Sequence, residues 1–360
     1  MIPLIKPEVG EEEIEAVRAV FQTGHIAQGP TTKKFEALFA EYVGAKHASA
    51  TTSCTAALHL AVCSLGIGRG DEVIVPSFTF PASANAVALQ GATPVFCDID
   101  LKTFNVDVKS AESAVTERTK AIMPIHLFGQ SADMGAVARM AKKHGLRVIE
   151  DAANAMGTFY EKKHVGTLGD FGCFSFHPRK ILTTGEGGML TSEDDALASL
   201  AASLKDHGKD ETGAKFVRPG FNYRMSDILA AIGIVQLKKL DATIKRRVQL
   251  AQRYSQLLEG VSGVTPPHHP AFTNHTFQSY VVLLDNGIDR DAIIKKTRER
   301  GVQTQIGTYA VHLQPAYARS AASLPNAERA DKQALTLPMY GQMTDADQQL
   351  VVKTLEGILR

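Results

Sequence analysis

Cysteine is scarce in this 360-residue chain: Cys54, Cys63, Cys97 and Cys173 are scattered, with no CxxC spacing. That leaves no basis for a disulfide framework or a zinc site, so no metal is expected and a reducing cytoplasm is the expected location. Long apolar runs are missing too. No stretch approaches the roughly 18 uncharged apolar residues that a membrane helix needs. The opening MIPLIKP is poor in apolar residues, and Glu11, Glu12 and Glu13 follow it, which argues against a signal peptide. Neither sign of charge dominates, since 39 basic and 38 acidic residues leave a net charge of +1. Such a balance sets up no field for nucleic acid or an anionic membrane, so partners should be small molecules or other subunits.

What is present suits a folded enzyme of two domains: 44% hydrophobic and 21% charged residues over 360 positions. Between residues 46 and 195, short apolar β-rich runs alternate with helix-period segments. The runs are 72–76 (EVIVP), 93–98 (TPVFCD), 121–126 (AIMPIH), 147–150 (RVIE), 172–176 (GCFSF) and 188–191 (GMLT). Helical patterns fill 56–64, 82–90, 108–115 and 134–144. Strands apolar on both faces and spaced by helices predict an α/β fold with a mostly parallel, helix-covered sheet. The charged stretch 228–258 is too long for one compact helix and is expected to span a change of domain. The expected division is a large domain, 1–245, and a small C-terminal α/β domain, 246–360. The glycines of GIGRG (66–70) imitate part of a dinucleotide fingerprint. They follow a helix and precede a strand, the reverse of what that motif requires, so they are read as a helix end and a turn.

Four segments place reactive or anion-binding groups at strand ends, where open α/β sheets bind ligands. In 175–188 (SFHPRKILTTGEGG) a strand ends, proline forbids its continuation, and Lys180 follows in a glycine-rich loop. A lysine held transiently neutral can couple to an aldehyde, although most loop lysines are solvated surface charges. In 148–154 (VIEDAAN) Asp151 closes an apolar strand, where a carboxylate needs a donor or a cation; capping the next helix is an equally good reading. In 51–60 (TTSCTAALHL) small hydroxyl residues precede a helix, which suits an anion site and ordinary capping alike. In 75–82 (VPSFTFPA) a strand is followed by aromatics that suit either a cofactor ring or the core.

Together these segments resemble the DegT/StrS family of sugar aminotransferases, fold type I enzymes that use pyridoxal 5′-phosphate (PLP). The likeness runs through Gln28-Gly-Pro30, Phe35-Glu36, 53–58 (SCTAAL), 76–80 (PSFTF), 91–98 (GATPVFCD) and 150–153 (EDAA). It continues through 174–180 (FSFHPRK), 220–227 (GFNYRMSD), 309–317 (YAVHLQPAY) and Leu337-Pro338. It implies a large domain built on a seven-stranded, mostly parallel sheet flanked by helices, with a smaller C-terminal domain.

The resemblance also implies roles. Lys180 would carry PLP covalently and move protons at the substrate carbon, and Asp151 would pair with the pyridine nitrogen. Phe80 and Ala153 would lie against the two ring faces. Thr55, Ser175 and the backbone of Cys54 would bind phosphate. Asn222 would reach the phosphate of a neighbouring subunit, which makes the expected enzyme a homodimer with shared active sites. Arg224 is expected at the donor's carboxylate, and His312, Glu186 and His177 near the sugar. Two positions depart from the family pattern. Cys54 stands where glycine is common, and Asn154 stands where a longer glutamine or histidine reaches the PLP 3′-oxygen. The implied reaction moves an amino group from an amino acid, L-glutamate being expected, to a nucleotide-linked 4-keto-6-deoxy sugar. A 3-keto sugar or keto-cyclitol is the alternative substrate. A non-catalytic PLP-binding regulator would need a DNA-binding or sensor module, and the chain offers no segment for one.

Overall fold

In the computed structural model, which describes residues 1–318 and 322–360, seven strands form one sheet. In spatial order they are His47–Thr51, Gly188–Ser192, Phe171–Ser175, Arg147–Asp151, Thr119–Ile122, Glu72–Pro76 and Thr93–Cys97. The last five run parallel; Gly188–Ser192 runs antiparallel to them, and His47–Thr51, antiparallel to Gly188–Ser192, completes that edge. The residues of Glu72–Pro76, Phe171–Ser175 and Gly188–Ser192 are buried throughout, as expected of strands covered on both faces. The expected α/β architecture is therefore present.

Two strands differ from the sequence reading. His47–Thr51 (HASAT) has no apolar run and owes its place to pairing with Gly188–Ser192. The strand beginning at Thr119 ends at Ile122, two residues before Pro124, which has no N–H for a ladder; only a single bridge, Ile125 to Asp151, continues it.

The helices Cys54–Ser64, Ala82–Leu89, Val108–Ser113 and Met134–His144 occupy the segments expected of them. Gly66 and Gly70 lie in left-handed turns between a helix and a strand, which disposes of the dinucleotide reading. The charged stretch is one unbroken helix, Asp227–Leu257, of 31 residues and about 46 Å, contrary to expectation. It stays whole because its two halves are buried in two different cores. Ala230, Leu237 and Leu240 pack with Phe35, Phe39 and Phe176 beneath the large sheet. Leu250, Ala251 and Tyr254 pack with Tyr280, Val282 and Leu337 in a second core. Residue 245 thus falls inside a continuous helix.

That second core rests on a four-stranded antiparallel sheet of order Val264–Thr265, Tyr280–Leu284, Ala334–Leu337 and Gln305–Ile306. The amino terminus joins it: Ile2 N–H donates to the Gly301 carbonyl (2.8 Å) and Ile2 is buried there. A short pair, Phe78–Thr79 with Tyr309–Ala310, stitches the C-terminal part of the chain to the end of the large sheet. Most of the candidate site residues converge beside that stitch.

Candidate active site

At the C-terminal ends of the parallel strands lies a cavity of about 550 Å³. Lys180, Asp151, Asn154, Ala153, Phe80, Cys54, Thr55, Ser175, His177 and Glu186 all line it. These residues come from four separate stretches of chain. The large sheet brings them together because each stretch begins where a strand ends or a helix starts.

Asp151 is the last residue of its strand and only 5% exposed. Ser83 Oγ donates to its Oδ2 at 2.7 Å, and the Ala153 N–H donates to Oδ1 at 3.1 Å. Thr79 Oγ1 stands 3.3 Å behind Ser83 Oγ. Among the described residues no lysine, arginine or histidine forms an ion pair with Asp151. A buried carboxylate held by two neutral donors is costly unless a cation completes it.

The amine of Lys180 donates to Asn154 Oδ1 at 2.8 Å. Burial pushes this amine below the usual lysine range, against the opposing pull of the neighbouring Asp151 carboxylate. Desolvation favours the neutral, nucleophilic form. Asn154, too short by the family pattern for a distant oxygen, thus has a partner in the lysine itself.

Ser53 caps the helix Cys54–Ser64 by accepting from the Ala56 N–H at 3.1 Å. Cys54 and Thr55, the two residues ahead of that capped amide, face the cavity with the helix's positive end. Gly188 crosses close behind: a Cβ there would lie 2.5 Å from the Cys54 nitrogen, so only glycine lets the strand approach. Burial holds the Cys54 thiol protonated, raising it well above its ordinary range. The backbone is then the polar face that this residue offers to an anion.

Phe80 stands at the lip of the cavity, 64% exposed, with Tyr309 6.4 Å away. Glu186 is exposed and His177 half-buried on the open side. Burial lowers the pKa of His177, so its ring is offered neutral. His177 Nδ1 accepts from the Arg179 N–H at 3.2 Å.

Three expected site residues lie elsewhere in this chain. Arg224 is ion-paired with Asp206 and lines a separate cleft of about 750 Å³, together with Lys33, Glu36 and Lys205. That larger cleft contains neither Lys180 nor Asp151. Asn222 is exposed beside it, bridged to Asp206. His312 is 3% exposed, its Nδ1 within 2.5 Å of Ser77 Oγ, and it packs near Phe96 outside the cavity lining. Its Nε2 faces Glu328 at 3.6 Å.

Conversely, Ser83 and Gln278 were invisible as site residues. Ser83 reads as one more small residue of the helix Ala82–Leu89, and nothing local marks it as the partner of a carboxylate 68 positions away.

The lining suits PLP. An uncompensated buried carboxylate, a desolvated lysine amine, a helix amino terminus and an exposed phenylalanine match its pyridine nitrogen, aldehyde, phosphate and ring. Lys180, Asp151, Thr55, Ser175, Phe80 and Ala153 are the residues that would hold it. When bound, PLP supplies an electron sink at the substrate carbon. The protein's own part would be to hold the Asp151 carboxylate in place through Ser83 and the Ala153 amide, and to keep the Lys180 amine ready to take or give a proton.

Comparison with known proteins agrees with this geometry. Residues 7–356 match the DegT/DnrJ/EryC1/StrS aminotransferase family. The chain is 42% identical to GDP-perosamine synthase of Caulobacter vibrioides, over 99% of this chain and 98% of that one. The crystal structure of the aminotransferase TlmJ from Streptoalloteichus hindustanus superposes with a TM-score of 0.95 at 38% identity, covering 100% and 99% of the two chains. Spr1654 of Streptococcus pneumoniae, solved in a PLP-form, gives 0.94 at 29% identity, covering 99% and 98%. The chain belongs to the DegT/DnrJ/EryC1/StrS aminotransferase family and is a PLP-dependent sugar aminotransferase.

Proposed function

We propose that the enzyme transfers an amino group from L-glutamate to C4 of a nucleotide-linked 4-keto-6-deoxy sugar. The observation that carries this reading is the 42% identity, over nearly the full length of both chains, to an enzyme whose name ties it to a GDP-linked sugar. The cavity supports it chemically. Glu186 and His177, on the open side near Lys180, offer an acceptor and a neutral ring to sugar hydroxyls. Ser175, Thr55 and the Cys54 backbone form the phosphate end, and Phe80 and Ala153 the ring faces. The division into a large PLP-binding domain, 1–245, and a small domain, 246–360, belongs to this reading, as does a cytoplasmic location. Among the described residues no helix is long and apolar enough to cross a membrane.

The test is an absorption spectrum of the purified protein with PLP, followed through glutamate and then a panel of UDP-, GDP- and dTDP-linked 4-keto-6-deoxy sugars. Glutamate should convert the lysine-bound cofactor to its amine form, and one sugar of the panel should restore it. Restoration only by a 3-keto sugar or a keto-cyclitol would refute C4 amination while keeping the enzyme class.

A homodimer with shared sites is the second part of the proposal. Asn222 is exposed and points to no group in its own chain's cavity, so a role at the phosphate requires a neighbouring subunit. Lys180→Ala and Asn222→Ala chains, each inactive, should regain activity when mixed, because one of the two sites in a mixed dimer carries neither lesion. No recovery under demonstrated subunit exchange would place Asn222 outside the site.

A further inference from the structure

The peptide groups on both sides of Lys180 are held by one side chain from the far part of the chain. Gln278 is 5% exposed and lies two residues before the strand Tyr280–Leu284. Its Nε2 donates to the Arg179 carbonyl at 2.5 Å, and its Oε1 accepts from the Ile181 N–H at 2.9 Å. A carboxamide presents donor and acceptor side by side in one plane, so it docks on the backbone as a paired strand would. Only one orientation of the amide serves both partners, so Nε2 and Oε1 are fixed by the contacts themselves. Position and twist of the lysine's backbone are thereby set together.

Gln278 is itself held firmly. Arg247, 5% exposed in the middle of the long helix, donates from Nε to the Phe277 carbonyl (2.9 Å) and from Nη2 to the Gln278 carbonyl (2.7 Å). Its Nη1 reaches the Met339 carbonyl at 3.3 Å. Phe277 is left-handed at φ +50°, an unfavourable conformation for a residue with a side chain, and persists because its surroundings fix it. Its N–H donates to His275 Nδ1 at 3.0 Å, and the two rings stack 3.9 Å apart. The Lys180 loop, by contrast, runs into Gly185, Gly187 and Gly188 and gains little stiffness from its own sequence. Gln278 thus anchors the base of the lysine, and Asn154 holds its tip.

We infer that Gln278 is a positioning residue for Lys180, its carboxamide bracketing the two flanking peptide groups so that the amine meets the cofactor aldehyde, and later the substrate carbon, from one fixed base. This rests on the assignment of Lys180 as the PLP-bearing lysine. A residue that only tied the two cores together would affect stability without a selective effect at Lys180.

The experiment compares wild type with Gln278→Met, which keeps length but neither polar contact, and with Gln278→Asn, which is too short to bracket. Cofactor-free protein is mixed with PLP and quenched at intervals with borohydride. The amine adds to the aldehyde carbon with loss of water, and hydride reduces the resulting C=N bond, so mass spectrometry counts the label at Lys180. Unfolding midpoints are measured on the same samples. Labelling of Lys180 should slow by about a hundredfold in folded Gln278→Met, the scale of a misplacement near 1 Å. The kcat should fall in parallel, with KM for glutamate changed by less than about twofold. Wild-type labelling and turnover in a folded variant would overturn the inference. So would a loss that merely follows the fraction unfolded. Should Gln278→Met not fold, Gln278→Asn decides on the same criteria. Wild type that fails to label at Lys180 would instead remove the lysine assignment itself.

Discussion

Lys180→Ala is expected to abolish transamination while leaving a folded protein that still takes up PLP without a covalent bond. The loss should reach about 10⁴-fold, the upper end of what general acid–base catalysis alone contributes, because the covalent tether to the cofactor is lost as well. On the proposed reading two functions fall on one amine: it would bear the cofactor, and it would move the proton at the substrate carbon. The local geometry suits both. Burial lowers the amine's pKa, and Asn154 Oδ1 accepts from it at 2.8 Å, holding it inside the cavity. Cofactor uptake should survive because Asp151, Thr55, Ser175 and the Cys54 backbone are untouched by the substitution. Equilibrium dialysis would measure that uptake, and the spectrum would show free rather than lysine-bound aldehyde. Turnover within tenfold of wild type would exclude Lys180 from the reaction.

Asp151→Asn should lower kcat by about 10³-fold, the loss expected when one preorganised charge is removed from a buried site. The substitution keeps shape, removes the charge that a pyridinium nitrogen needs opposite it, and turns one acceptor oxygen into an amide donor, towards which the Ser83 hydroxyl can rotate to accept. Its effect on the fold should run the other way. Asp151 is 5% exposed, and among the described residues its partners are the Ser83 hydroxyl and the Ala153 amide. Neutralising a buried carboxylate that lacks a cation relieves its desolvation cost. The cofactor-free variant should therefore unfold at or slightly above the wild-type temperature. Falling activity with undiminished stability would separate a chemical role from a structural one. A loss below about tenfold would leave Asp151 as a residue that only shapes the turn into Ala153.

Much of this molecule is legible in one dimension. Runs such as EVIVP and GCFSF are apolar at successive positions, and a strand needs that only when both faces are covered. The parallel sheet follows, and its strand ends locate Asp151 and the Lys180 loop. The segments that escaped have no such local signature. HASAT becomes a strand because Gly188–Ser192 offers it an unpaired edge. The 31-residue helix stays whole because two separate cores bury its two halves.

The sequence by itself carried the sheet, because strand burial leaves a pattern within a few positions, and it carried the family likeness that gives the class of enzyme and proposes Lys180 and Asp151 as its chemical centre. Only the tertiary structure decided what holds those two groups. Ser83 meets Asp151 across 68 positions, Gln278 brackets Lys180 across 97 or more, and Arg224 pairs with Asp206 in a different cleft. His312 turns into the core against Ser77, 235 positions away. Contacts of that span depend on how layers pack against one another, and neither periodicity nor composition along the chain carries that information.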